Sequence, residues 1–132
     1  MAESEVPNSV QTFIAERIGS IFQLEVLLLM HRSAPRQFTP GDVAHELRID
    51  PSWAAQCLAQ LSAGGLLVST DGPPPRYHYG TASVELNVTV EQLARAYSTH
   101  RVTITAMIFN KPPDALRSFA DAFRIRKDRP NA

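Results

Sequence analysis

Four side chains on one short predicted helix have the chemistry to recognise another macromolecule. The helix spans residues 51–63 and contains Ser52, Trp53, Gln56 and Gln60. The two glutamines are four residues apart, so they lie on the same helical face. A glutamine amide can form two hydrogen bonds with adenine in the major groove, and a serine near a helix N-terminus can bind a phosphate. The alternative is that both glutamines are solvated surface residues.

The single tryptophan of the chain, Trp53, is open to three interpretations. If Ala54 and Leu58 face the core, Trp53 lies on the outward face of the same helix. Exposed tryptophans are enriched at the centres of protein interfaces, which indicates contact with a protein partner. The alternatives are contact with DNA and burial against Phe38 or a neighbouring hairpin.

Positive charge is placed around this helix and not on it. Residues 51–63 contain no lysine or arginine, whereas Arg36, Arg48, Arg76 and His78 flank the segment and are candidates for backbone phosphate contacts. The net charge is +0 and the pI is about 6.9. Because proteins that bind nucleic acids usually carry a basic surplus, the neutral balance favours a protein partner over DNA.

The residues that commonly perform catalysis are scattered along the chain. His31, His45, His78 and His100 do not show the helical spacing of a zinc site. Cys57 falls on a predicted buried stripe, where a thiol is a small core residue and not a nucleophile. We therefore predict that the protein is not an enzyme and has neither a cofactor nor a metal.

Composition indicates one soluble domain. The chain has 132 residues, of which 44% are hydrophobic and 20% charged. Its one cysteine cannot form an internal disulfide, so we expect a reducing, cytoplasmic location. The most apolar segment, residues 21–30, is too short to span a bilayer, and the start does not resemble a secretory signal. We expect no membrane partner.

Two capping signals position the candidate helix. Thr39 and Asp50 are each followed by proline, which predicts two short helices joined by a tight turn. Gly64 and Gly65 predict the end of the second helix. The inward stripe of that helix is predicted to contain Ala54, Cys57, Leu58 and Leu61.

A hairpin is predicted directly after the second helix. Residues 66–68 begin a strand, residues 71–75 form a stiff loop of sequence DGPPP, and Tyr77 and Tyr79 alternate with His78 in a returning strand.

Further helices are predicted on both sides. One spans residues 8–18, with Asn8 or Ser9 as its cap, and another begins after Ser20. A longer helix is predicted from Thr89, at a capping-box spacing, to Asn110, although residues 102–105 are β-branched and a strand is the alternative there. A last helix follows Asp114. The apolar positions that predict a dimer interface are Val90, Leu93, Tyr97, Ile104, Met107, Phe119 and Phe123.

The segment over residues 20–80 resembles the winged helix-turn-helix of bacterial transcriptional regulators. The similarity is carried by Ala44, Ile49, Ala54 and Leu58, and by the sequence GGLL before the hairpin, or wing. The flanking helices look most like those of MarR-like regulators. That resemblance implies a homodimer, built by the terminal helices, that binds double-stranded DNA. A MarR-like wing usually carries an Asp-x-Arg motif, whereas here Arg76 is the only cation in STDGPPPRYHYG.

These observations predict a single domain over residues 1–132 that is mainly α with a small β-hairpin wing. A winged helix-turn-helix core at residues 20–80 is flanked by predicted dimerisation helices at residues 8–18 and 87–127. The predicted function is a dimeric DNA-binding transcriptional regulator. The alternative is a protein–protein interaction module with the same fold and without sequence-specific DNA binding.

Overall fold

The computed structural model describes residues 6–110, which form six helices and one antiparallel hairpin. This arrangement confirms the predicted fold class. The elements in chain order are α1 (Asn8–Arg17), α2 (Ile21–Ser33), α3 (Pro40–Leu47), α4 (Pro51–Ala63), β1 (Leu67–Thr70), β2 (Arg76–Tyr79), α5 (Val84–Thr99) and α6 (Arg101–Phe109).

Side-chain caps begin the three central helices where the sequence predicts them. The Ser20 hydroxyl accepts a backbone N–H of the first turn of α2. Thr39 and Asp42 form a reciprocal capping box at α3, with distances of 3.1 and 3.0 Å. Asp50 caps α4. Helix α1 differs from the prediction, because its N-cap is Pro7 and no side chain caps it.

The turn between α3 and α4 contains one residue in the left-handed conformation, followed by a partly buried isoleucine. Arg48 ends α3 with a φ of 58°. The next residue, Ile49, packs partly buried against the core, and its N–H donates to the Ala44 carbonyl over 3.1 Å. After α4, Gly65 has a φ of 82°, and a Cβ placed there would lie 3.1 Å from the Ala82 Cβ. Glycine is required at this turn.

A short third segment extends the wing. Strands β1 and β2 pair antiparallel, with Ser69 opposite Tyr77. Phe38 joins them through an isolated bridge in which its N–H and carbonyl each bond to Tyr77 over 2.8 Å. The wing is thereby fixed to the segment that leads into α3.

Helix α2 lies at the centre of the core. All residues from Val26 to Met30 are buried, and α2 packs against α3, α4, α6 and β2. A helix buried on most of its faces is expected when the sequence is apolar nearly all round.

The predicted long helix is divided and begins earlier than expected. Ser83 caps α5, accepting the Leu86 N–H over 3.1 Å, whereas Thr89 lies inside the helix and donates its hydroxyl to the Glu85 carbonyl. His100, with φ −128° and ψ 45°, separates α5 from α6. The predicted start at Thr89 is therefore wrong by more than one turn. The β-branched residues of α6 are helical, as predicted.

Four of the residues predicted to form a dimer interface are instead buried within the single chain. Val90, Leu93 and Ile104 are 0% exposed within the single chain, and Tyr97 is 9% exposed. Met107 packs partly buried against the same core. These side chains fill the space between α1, α5 and α6, so a second copy cannot contact the fully buried ones. An amphipathic stripe indicates burial but does not identify the partner.

Part of the predicted C-terminal flank cannot be compared with the structure. Residues 111–127, including Phe119 and Phe123, lie outside the described residues.

Candidate nucleic-acid interface

The outward face of α4 carries the four residues that the sequence singles out. Ser52, Trp53, Gln56 and Gln60 are all exposed, while the opposite stripe is buried as predicted. The buried residues of α4 are Ala54, Cys57, Leu58 and Leu61. Packing of that stripe against α2 and α3 therefore fixes the exposed glutamines one helical turn apart on the outward face.

Trp53 contacts an aromatic ring that the sequence analysis did not single out. Its side chain is 49% exposed, and its ring lies 5.0 Å from the ring of Phe22, at an interplanar angle of 46°. Phe22 is itself 40% exposed. Phe38, the predicted alternative partner, is fully buried. The near-uniform apolar composition of α2 gives no signal that Phe22 faces outward.

The N-terminus of α4 already carries a negative charge. Asp50 accepts the Ser52 hydroxyl and, over 2.8 Å, the Ser52 N–H. These hydrogen bonds from Ser52 hold the pKa of Asp50 below its ordinary value. The carboxylate is ionised at neutral pH and repels a phosphate. Ser52 acts here as part of the cap, which disfavours its predicted phosphate contact.

Two of the flanking arginines act on the same carboxylate, Asp42, near the start of α3. The pKa of Asp42 is lowered mainly by the hydrogen bond from the Thr39 backbone, and also by the positive charges of Arg36 and Arg76. The Arg36 guanidinium lies over the ring of Phe38, 4.3 Å from its centroid. Both arginines are exposed, and Arg76 lies opposite Thr70 at the loop end of the hairpin.

The remaining flanking residues differ in accessibility. Arg48 is exposed in the turn between α3 and α4. His78 lies opposite Val68 in the hairpin and is partly buried, and its Nδ1 atom is buried without a hydrogen-bond partner. Of the four predicted phosphate contacts, His78 is the least available.

Other kinds of site find little support in the part of the chain that the structure describes. Over residues 6–110, no group of three or more His, Cys, Asp or Glu side chains could hold a metal ion. Burial raises the pKa of the Cys57 thiol, which disfavours the nucleophilic thiolate.

Among residues 6–110, no helix has both the length and the apolar character needed to cross a membrane.

Comparison with known proteins identifies similar folds. Neither a protein-family model nor a curated protein matches the sequence. Reduced HlyU from Vibrio cholerae is 22% identical with a TM-score of 0.50, and the match covers 68% of this chain and 92% of that one. BpsR from Bordetella bronchiseptica, whose DNA binding is regulated by 6-hydroxynicotinic acid, is 18% identical with a TM-score of 0.51, covering 92% and 84%.

A third solved structure has the highest TM-score of the three. The heme sensor PefR from Streptococcus agalactiae, in complex with heme, is 11% identical with a TM-score of 0.53, covering 89% of this chain and 78% of that one. At these identities the similarity shows the fold alone. The predicted resemblance is confirmed at that level: the chain has the winged helix-turn-helix fold of MarR-like bacterial transcriptional regulators.

Proposed function

We propose that the protein is a transcriptional regulator that binds double-stranded DNA as a homodimer, with α4 in the major groove. The observation that carries this proposal is the exposure of Gln56 and Gln60, one turn apart, on the second helix of a winged helix-turn-helix. Glutamine amides at this position can read adenine directly. BpsR, which has a similar fold, is itself a DNA-binding protein.

Three exposed arginines supply the phosphate contacts in this proposal. Arg36 and Arg76 lie near Asp42, with Arg76 at the loop end of the wing, and Arg48 lies in the turn before α4. Contacts with DNA phosphates on each side of α4 would fix the orientation of this helix in the major groove. Residues 6–110 contain seven arginines, no lysine and eight acidic residues, so few other cations are available there.

The proposed dimer uses exposed apolar residues and not the buried seam. Val84 and Val88 lie one turn apart on α5 and are 75% and 46% exposed. Val102 and Phe109 on α6 are 82% and 72% exposed. Large apolar side chains in this number are costly to leave in water, and a second copy would cover them. Such a dimer would place two α4 helices on one inverted repeat.

A protein-binding function is the second candidate. It is supported by the exposed contact between Phe22 and Trp53 and by the lack of any cation on α4. Tryptophan is enriched among the residues that dominate protein interfaces.

A salt-dependent titration tests DNA binding. Fluorescence anisotropy with the DNA upstream of the protein's own gene should show sub-micromolar affinity at low salt. Three arginine contacts in each of two protomers predict that log K falls with log salt at a slope of about −5. Failure to bind DNA at about 50 mM salt, where phosphate contacts are strong, would reject DNA binding and favour the protein-binding function.

Light scattering tests the dimer separately. At tens of micromolar we expect the mass of two chains, and Val84→Asp/Val88→Asp should shift the equilibrium to monomer. The matched variant Thr12→Asp, at an exposed position on α1, should not. A wild-type monomer under these conditions contradicts the proposed dimer.

A further inference from the structure

DNA binding does not explain the contact between Phe22 and Trp53. Phe22 belongs to α2, which is not the predicted reading helix, yet the two rings are 40% and 49% exposed while 5.0 Å apart. We call these two side chains the aromatic pair. Contiguous exposed rings of this size commonly mark an interaction surface. Each ring therefore presents exposed surface that a further group could contact.

The edge of the aromatic pair is negatively charged. Asp50 lies three residues before Trp53 at the N-terminus of α4, and its carboxylate is ionised at neutral pH. The sequence contains no lysine or arginine between Arg48 and Arg76. An apolar surface with an anionic edge favours an occupant that combines apolar side chains with cations.

The C-terminal sequence of the same chain has this chemistry. Residues 111–132 contain six lysines and arginines against three aspartates, whereas residues 6–110 carry a net charge of −1. Leu116, Phe119 and Phe123 recur in that sequence at the steps of three and four expected for one apolar stripe. The described domain and the C-terminal sequence are therefore complementary in charge, and both offer apolar side chains.

Reach does not limit an intramolecular contact. The segment follows Asn110, immediately after α6. A chain of its 22 residues can extend over about 70 Å. A domain of about 100 residues has a radius of gyration of only about 13 Å. The aromatic pair is thus accessible to the segment of the same protomer.

We propose that the C-terminal segment, residues 111–132, docks on the aromatic pair of its own protomer, with apolar side chains on the rings and cations beside Asp50. Because Gln56 and Gln60 share the exposed face of α4 with Trp53, a docked segment obstructs access of DNA to that face. Docking is independent of DNA binding, whereas its inhibitory effect rests on the proposed function.

The single tryptophan makes docking measurable in the full-length protein without DNA. Replacing the apolar stripe with Phe119→Ser/Phe123→Ser should shift Trp53 emission to longer wavelength and increase acrylamide quenching. Reversing the charges with Arg124→Glu/Arg126→Glu/Lys127→Glu should act in the same direction while leaving the stripe intact. The control Thr12→Ala, at an exposed position on α1 that belongs to no proposed interface, should leave Trp53 unchanged.

Two results overturn docking within one protomer. The first is that Trp53 emission and quenching are the same in the wild type and in both C-terminal variants. Equal far-ultraviolet circular dichroism would show that these variants are folded like the wild type. The second is a Trp53 signal that varies with protein concentration, because this shows a segment from a second copy. High salt provides a further check, since screening should expose Trp53 in the wild type and not in the charge-reversed variant.

DNA affinity of Phe119→Ser/Phe123→Ser tests the inhibitory effect. This variant keeps every cation, so electrostatic changes cannot account for tighter binding. If one chain in ten is undocked, releasing the segment should tighten binding about tenfold. Weaker binding would show that the segment contacts DNA, which overturns inhibition. A fluorescence change in a protein that never binds DNA supports docking and rejects the proposed function.

Discussion

The inward and outward faces of α4 occupy the same thirteen residues and obey different constraints. On the inward face, Ala54 and Leu58 are 0% exposed and pack against neighbouring helices. On the outward face, Gln56 and Gln60 are exposed. Stability therefore fixes the residue types on the inward face, while the outward face is free to serve recognition.

Trp53 and Asp50 show that this division is not complete. Trp53 faces outward but packs one side of its ring on Phe22. Asp50 faces solvent and still caps the helix. Both residues therefore contribute to the fold and to the chemistry of the exposed surface, and substituting them tests where the two roles separate.

The largest effect is expected from a cavity on the inward face. Leu58→Ala should lower the free energy of unfolding by about 3 kcal/mol, because a fully buried leucine leaves an unfilled space. Gln56→Ala, two positions earlier on the outward face, should change it by less than about 0.5 kcal/mol. Urea denaturation measures both values. Equal losses in the two variants would remove the distinction between the faces.

Trp53→Ala should have an intermediate effect on stability. Removing a half-exposed ring loses mainly its contact with Phe22, which contributes about 1 kcal/mol. Docking of the C-terminal segment should weaken much more than stability does. The same denaturation assay applies, and a loss as large as that of Leu58→Ala would show that Trp53 is primarily a core residue.

Asp50→Asn should have the smallest effect on stability at neutral pH, since asparagine is an equally good N-cap. Removing the carboxylate should tighten DNA binding, because a negative charge leaves the N-terminus of α4. The lowered pKa means that the ionised carboxylate stabilises the folded state above its ordinary pKa of 3.8. That contribution is lost as pH falls through the lower folded value.

Denaturation midpoints of wild type and Asp50→Asn across this acidic range measure the effect. The Asn variant should lose less stability than the wild type below pH 3.8. Parallel curves would show that the charge of Asp50 does not stabilise the fold.

Local signals in the sequence were sufficient to predict where the helices of the helix-turn-helix begin. Ser20, Thr39 and Asp50 cap helices with bonds inside their own first turns, so neighbouring residues alone determine the starts of α2, α3 and α4. The inward stripe of α4 is predictable for the same reason, since helical periodicity is a local property.

Two competing local signals and several non-local contacts explain what the sequence did not predict. Helix α5 begins at Val84 because Ser83 caps it locally, although the sequence also offers a capping-box spacing at Thr89. The Tyr79 hydroxyl of the wing also donates to Asn87 in the first turns of α5, over 2.7 Å. No local pattern identifies that contact. The apolar stripe of α5 predicted a helical partner correctly, but the partner is α1 of the same chain. Likewise, the exposure of Trp53 follows from periodicity, whereas its contact with Phe22 depends on the packing of α2 against α4.

Binding of DNA by Gln56→Ala/Gln60→Ala is the most direct test of the role assigned to the outward face. Each lost pair of hydrogen bonds to a base should weaken specific binding by about 1–3 kcal/mol, while binding to unrelated DNA stays the same. The matched variant Gln11→Ala, at an exposed position on α1, should bind like the wild type. Specific binding that is equally strong in all three proteins would contradict recognition through α4.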